Sequence, residues 1–165
     1  MKKIEFELKK IHVDKKFVVI TYLTKGSDRE KTEKVKETPH PDLKVSLQAF
    51  RPIMTEMFEQ PDSEQTEHDI TGITLSTKKG NDQVIISSTY TLASNQKVSM
   101  NSPNIALEGS DWDNQDKLSE QIKSVSDEAY AYLFDGKAAQ LSLDVLNPEQ
   151  TNIEIEVPVK ENKKK

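Results

Sequence analysis

Apolar residues near the start of the chain recur at every second position, the period of a strand. Ile4, Phe6 and Leu8 alternate with charged neighbours, the phase slips at Lys9-Lys10, and alternation resumes at Ile11 and Val13. One extra residue between two alternating runs predicts a β-bulge. Asp14-Lys15 supplies a turn, Phe17 to Thr24 is a β-branched and aromatic strand, and Lys25-Gly26-Ser27-Asp28 ends it. Residues 30–38 alternate Lys with Glu, the pattern of an edge strand guarded by charge. Pro39 and Pro41 stop the sheet. Pro41-Asp42 opens a helix, because proline in the first turn wastes no hydrogen bond and an acid meets the positive end of the dipole. That helix carries Leu43, Leu47, Phe50, Met54 and Met57/Phe58 on one face, and Pro52 inside it predicts a kink. Residues 59–68, polar and acidic, read as an exposed linker.

The same order of elements then returns. Ile70, Ile73 and Leu75 repeat the spacing of Leu8, Ile11 and Val13 at an offset of 62, with Gly72 at the slip. Lys79-Gly80-Asn81-Asp82 is the turn, and Val84, Ile86, Thr89, Tyr90 and Leu92 mark the next strand. Ser94-Asn95 leads to Val98 and a Ser102-Pro103-x-x-x-Leu107 step that matches Thr38-Pro39-x-x-x-Leu43. Leu118, Ile122, Val125, Ala129 and Tyr132/Leu133 repeat the first helix face at an offset of 75, with Asp113 to Asp116 at its first turn and Asp135-Gly136 at its end. The expectation is an α+β fold of two pseudo-repeated β-β-β-α units, residues 4–58 and 69–136, packed as one domain over 1–136. Leu141, Leu143 and Val145, then Ile153, Ile155, Val157 and Val159, predict a C-terminal strand or hairpin extension over 137–159. It packs on the domain, or augments a partner's sheet. Residues 160–165 read as a basic, disordered tail.

Composition narrows the function classes. The 165 residues are 34% hydrophobic and 31% charged, which suits one modest core better than a large enzyme cleft. The absence of Cys removes disulfide, thiolate and zinc-finger chemistry together. No apolar run is long enough for a membrane helix, and the alternating residues after Met1-Lys2-Lys3 do not form a signal peptide. A cytoplasmic protein is expected, in the host cytoplasm if a phage encodes it. The net charge of −5 conceals an uneven distribution. Residues 1–51 hold 13 Lys and Arg against 8 Asp and Glu, a net of +5, whereas residues 97–158 hold 4 against 12, a net of −8.

Catalytic constellations are missing. His12, His40 and His68 are isolated in the sequence and read as solvated. There is no Gly-x-Ser-x-Gly, no phosphate-cradling Gly-rich loop and no Walker-type lysine. The expectation is a non-enzyme with no cofactor and no metal site. The basic residues instead suggest nucleic acid: Lys9, Lys10, Lys15, Lys16, Lys25, Arg29, Lys31, Lys34 and Lys36 all fall on the first three strands, beside Phe17 and Tyr22. Lysines that track phosphates and aromatic rings that stack bases are what single-strand binding uses. A plainly solvated sheet with charge-guarded edges is the competing interpretation.

Val35-x-x-x-Pro39-His40-Pro41-Asp42-Leu43 and the run Asp127-Glu128-Ala129-Tyr130-Ala131-Tyr132-Leu133-Phe134-Asp135-Gly136-Lys137, followed by Gln140-Leu141-Ser142-Leu143, resemble small uncharacterised proteins of tailed phages and prophages. Their company among replication and recombination genes implies a role in DNA metabolism by association. The tandem sheet-plus-helix plan also resembles, more loosely, the Whirly-type single-stranded-DNA-binding architecture, which has four strands per unit where three are read here. The lysine-rich end departs from the acidic tail of phage single-strand binders. The expected partner is single-stranded DNA. The rival is a host or phage protein met by an acidic phosphate-mimicking surface at Asp111, Trp112, Asp113 and Asp116; a third reading is an assembly protein that forms a homo-oligomer.

Overall fold

The computed structural model describes residues 5–109 and 113–136. Asp111, Trp112, the 137–159 extension and the 160–165 tail therefore lie outside the described residues. The chain forms β1 (Phe6–Val13), β2 (Val18–Thr24), β3 (Lys31–Val35), α1 (Pro41–Gln48), α2 (Arg51–Met57), a 3-10 helix (Asp62–Glu67), β4 (His68–Lys78), β5 (Asn81–Thr91), β6 (Lys97–Asn101), β7 (Ile105–Ala106) and α3 (Gln115–Phe134). It is an α+β fold: the strands make one antiparallel sheet in the order β3-β2-β1-β4-β5-β6, with the short β7 also paired to β5.

Two three-stranded meanders meet at the β1/β4 junction. The register there is Lys10↔Thr74, Ile11↔Ile73 and His12↔Gly72. As in any antiparallel ladder, a local twofold runs through the central pair, here Ile11/Ile73. The expected strand slips are real bulges, between Leu8 and Lys10 in β1 and between Ile70 and Gly72 in β4. The correspondence is geometric; a copying event in the chain's past is a separate claim.

All three helices lie on one face of the sheet. Residues directly opposed in an antiparallel ladder share a face, and that rule sorts the buried residues. Leu8, Ile11, Val18, Ile20 and Tyr22 of the first meander, with Ile70, Ile73, Val84 and Ile86 of the second, form the sheet's contribution to the core. Against them α1 and α2 bring Leu43, Leu47, Phe50, Ile53 and Met54, and α3 brings Leu118, Ile122, Val125, Ala129 and Tyr132. The spacing in α3 is a single apolar stripe, and α1 packs against α3 as well as on the sheet.

Three expectations need correction. The first helix is not one kinked rod: α1 ends at Gln48 and a new helix begins at Arg51, with Pro52 in its first turn, where no backbone donor is lost. Phe50 sits at that joint and is fully buried. The segment expected as a linker contains the 3-10 helix and runs straight into β4. The acids before α3 are also placed differently, since the helix starts at Gln115 and only Asp116 lies in its first turn.

Gln48, the last residue of α1, ties the helix to the β4 bulge. Its side-chain oxygen accepts the Ile70 N–H at 3.0 Å, and its amide nitrogen donates to the Ile70 carbonyl at 3.1 Å. β1 has already left β4 at this point, so Gln48 satisfies backbone groups that the ladder no longer reaches.

Candidate nucleic-acid interface

No described residue covers the face of the sheet opposite the helices. One row of residues on it runs across all six strands: Lys34, Val19, His12, Gly72, Ser87 and Asn101. The next row is Thr32, Thr21, Lys10, Thr74 and Ile85. The inner strands contribute half-buried Val, Thr, Ser and Ile, and the Thr21 and Thr32 hydroxyls hydrogen-bond across β2 and β3 at 3.0 Å. This is a smooth surface of small side chains, with its bulk at one corner.

That corner is Phe17. It directly precedes β2, half-buried, and shares the open side with Val19. The Lys34 ammonium lies 4.2 Å from its ring centroid, a cation-π contact, and the His12 ring is 6.3 Å away. Lys15 and Lys16 are exposed in the turn just before it, and Lys10 and Lys36 continue the open side on β1 and past the end of β3. An aromatic ring with one cation on its face, at the basic end of an open sheet side, matches a base-stacking position with phosphate partners along the same side.

The eleven residues singled out in the sequence do not all assemble here. Lys10, Phe17, Lys34 and Lys36 share the open side, Lys16 lies in the turn beside it, and Lys15 of the same turn lines a recess against α1. Lys25 and Arg29 lie at the far end of β2, about 23 Å away for seven residues at roughly 3.3 Å each, and Lys25 pairs with Glu5 at 3.1 Å. Lys9 is the bulged residue, paired with Glu7 at 2.8 Å. Lys31 opposes Tyr22 and so belongs to the helix side.

Tyr22 is the clearest correction. It is 3% exposed, its ring packs with Phe6 and Phe134, and its hydroxyl donates to the Glu33 carboxylate. Burial first, and then Glu33, push its pKa up to about 12. A ring held this way is core and offers no face to a base.

The histidines also differ from expectation. His40 is the N-cap of α1: its Nδ1 accepts the Asp42 N–H at 3.1 Å. His68 is 0% exposed. Its Nε2 lies 2.7 Å from the Gln60 side-chain oxygen and its Nδ1 3.0 Å from Ser88 Oγ. Because the Gln60 oxygen only accepts, the proton belongs on Nε2, and Ser88 donates to Nδ1. Ser88 and His68 have the separation of a nucleophile and its base, but neither reaches solvent. The pair is a core network, reinforced by Arg51 Nε donating to the His68 carbonyl at 2.7 Å.

A groove of about 590 Å³ opens between the β2–β3 turn and α3, over Phe6 and Tyr130. Its carboxylates Glu5, Glu7 and Asp127 are each ion-paired, to Lys25, Lys9 and Lys123, and none is a free acid. Among the described residues no three His, Asp or Glu side chains converge as a metal cluster, and no helix is long and apolar enough to cross a membrane. Of the acidic mimic surface, Asp113 is exposed ahead of α3 and Asp116 is exposed in its first turn.

The sequence reading missed His12 as a neighbour of Phe17, and it missed Lys44 of α1 and Lys97 of β6, which line one recess with Lys15. Both omissions have one cause. Contacts across the ladder depend on register, and the register of distant strands is not written in local spacing.

These features define the class: an α+β protein whose antiparallel sheet is backed by helices on one side and open, with a basic aromatic corner, on the other. No family model, curated protein or solved structure matches the chain.

Proposed function

We propose that this chain binds single-stranded DNA on the open sheet face, as a non-enzymatic accessory protein of the kind its phage-like motifs suggest. The observation that carries the reading is the Phe17 ring under the Lys34 ammonium at 4.2 Å, with Lys15 and Lys16 exposed in the turn before it and Lys10 and Lys36 further along the open side. A base stacks on Phe17, and the lysines take the flanking phosphates. The neighbouring row of Thr, Ser and Gly leaves the strand room to lie flat along the sheet.

Fluorescence anisotropy with a labelled oligonucleotide at about 50 and 200 mM salt tests the proposal directly. Binding should weaken at least tenfold across that step, as several released counterions require. Phe17→Ala should cost about 1–3 kcal/mol of affinity, the usual range for one stacked base. Tyr22→Phe, a change inside the core, should leave affinity unaltered. Absence of binding at tens of micromolar protein in low salt refutes the reading, and so does a Phe17→Ala variant that binds like the parent.

A further inference from the structure

The fold builds the same recess twice. Where β1 and β4 part company at each bulge, a hollow of about 290 Å³ is left in the gap between the strands, bounded on one side by a helix. One lies over Ile70 and Thr71, against Leu47 and Gln48 of α1; the other lies over Leu8 and Lys9, against Ile122 and Lys123 of α3. These residues correspond at the offsets of 62 along the strands and 75 along the helices, so the two hollows occupy matching positions in the two meanders.

Their charge is not related. In the α1 recess Lys15, Lys44 and Lys97 converge from the β1–β2 turn, the helix and β6. At the matching positions of the α3 recess, Lys15 becomes Thr77 and Lys44 becomes Ser119. The lysines that the α3 recess does contain are neutralised: Lys9 by Glu7 at 2.8 Å and Lys123 by Asp127 at 3.0 Å. Among the described residues Lys15, Lys44 and Lys97 make no ion pair.

Two carboxylates, Asp14 and Asp69, line the same recess and keep their charge, so three ammonium groups stand against two acids, a net of one positive charge. Asp14 accepts the backbone N–H of Lys15 at 2.6 Å, and Asp69 accepts from Gln48 at 3.2 Å. Lys44 also stands in the first turn of α1, where the helix dipole disfavours a cation. The α3 recess shows that the hollow forms without Lys15 and Lys44, so the fold does not need them. Ammonium groups that folding does not need and that no carboxylate pairs directly, in a recess with one net positive charge, are available to a ligand.

We infer that the recess bounded by Lys15, Lys44 and Lys97 binds a phosphate group. Three ammonium groups from three elements hold an anion by charge and by N–H donation, with less directional demand than an arginine fork. The phosphate comes either from the backbone of a nucleic acid, in which case the recess extends the path that starts at Phe17, or from a small free phosphate. The inference does not rest on the open-face proposal, because it requires an anion and no stacked base.

NMR of the full-length protein separates the possibilities, with inorganic pyrophosphate and a short thymidine oligonucleotide as the two probes. Saturable shifts are expected at the amides of Lys15, Lys44 and Lys97, and not at Lys9 or Lys123. The Lys44→Gln/Lys97→Gln variant should keep the parent's amide dispersion and lose at least tenfold in affinity for the probe that binds. Its salt slope for the oligonucleotide should fall by roughly 0.7 per phosphate contact removed. Saturation by the oligonucleotide alone identifies a backbone phosphate, and saturation by both probes identifies a free phosphate site. Silence of the recess with both probes overturns the inference, as do equal shifts in the α3 recess or full affinity in the folded double variant. Shifts at Phe17 and Lys34 with a silent recess overturn this site and leave the open face standing; the reverse pattern does the opposite.

Discussion

Individual residues show how far burial departs from polarity. His68 follows a run of Asp, Ser, Glu, Gln and Thr, and nothing in that neighbourhood signals a core position. It is buried because β4 begins there, and because Gln60 and Ser88 receive both ring nitrogens. Burial, and then the Arg51 guanidinium, hold its pKa below the ordinary value near 6.5, against an opposing pull from Glu64. On its other side lies the Tyr90 ring, whose hydroxyl donates to Glu64 at 2.5 Å. That hydrogen bond, more than burial, pushes the Tyr90 pKa up.

The sign of the pH effect follows from the direction of the His68 shift. Between its lowered folded pKa and about 6.5 the unfolded chain holds more protons than the folded one, so stability rises with pH in that window. The stability due to neutral His68 is complete above the window and is lost as pH falls through it. His68→Gln, which cannot titrate, should be destabilised by about 1–3 kcal/mol at pH 7.5, and the gap to the parent should narrow at pH 5.5. Urea melts at the two pH values measure this. A gap of the same size at both would show that His68 does not titrate differently on folding.

Among the elements, the two bulges are the clearest success of sequence reading. The phase slips at Lys9-Lys10 and at Gly72 were visible in the alternation itself, because an extra residue must flip every later side chain to the other face. The reason for glycine at the second slip was not visible. A Cβ on Gly72 would lie 2.1 Å from the Ile11 carbonyl oxygen, a backbone atom that cannot step aside. Gly72→Ala should therefore force the β1/β4 junction apart and cost at least about 2 kcal/mol, in the upper range for overpacking. A urea midpoint equal to the parent's would show that the strands can separate there freely. The helix break was legible only in part. Pro52 announced a discontinuity, but the arrangement of two short helices was decided by Phe50 filling the joint between them.

For the whole molecule, the β1/β4 junction and the packing of α1 on α3 join the two meanders into one core. Thermal or urea unfolding should then follow one transition, with far-ultraviolet circular dichroism and tyrosine fluorescence coinciding. Two separated transitions would mean that each β-β-β-α unit is stable by itself. Its two faces also divide the labour proposed for it. The helix side stabilises, and the open side and the α1 recess present lysines that no described carboxylate pairs directly.

The sequence by itself determined the α+β class, six of the described strands and both bulges, the apolar stripe of α3 and the basic character of the first unit. All of these follow from local period and composition, which short-range sterics and burial impose residue by residue. The tertiary structure alone decided that Tyr22 is core while Phe17 is surface, that His68 is buried, and that Lys97 comes to lie beside Lys15 and Lys44. The physical reason is the same in each case: which residues face one another depends on register between distant strands and on what the helices cover, and those are settled only when the sheet closes across the Ile11/Ile73 pair.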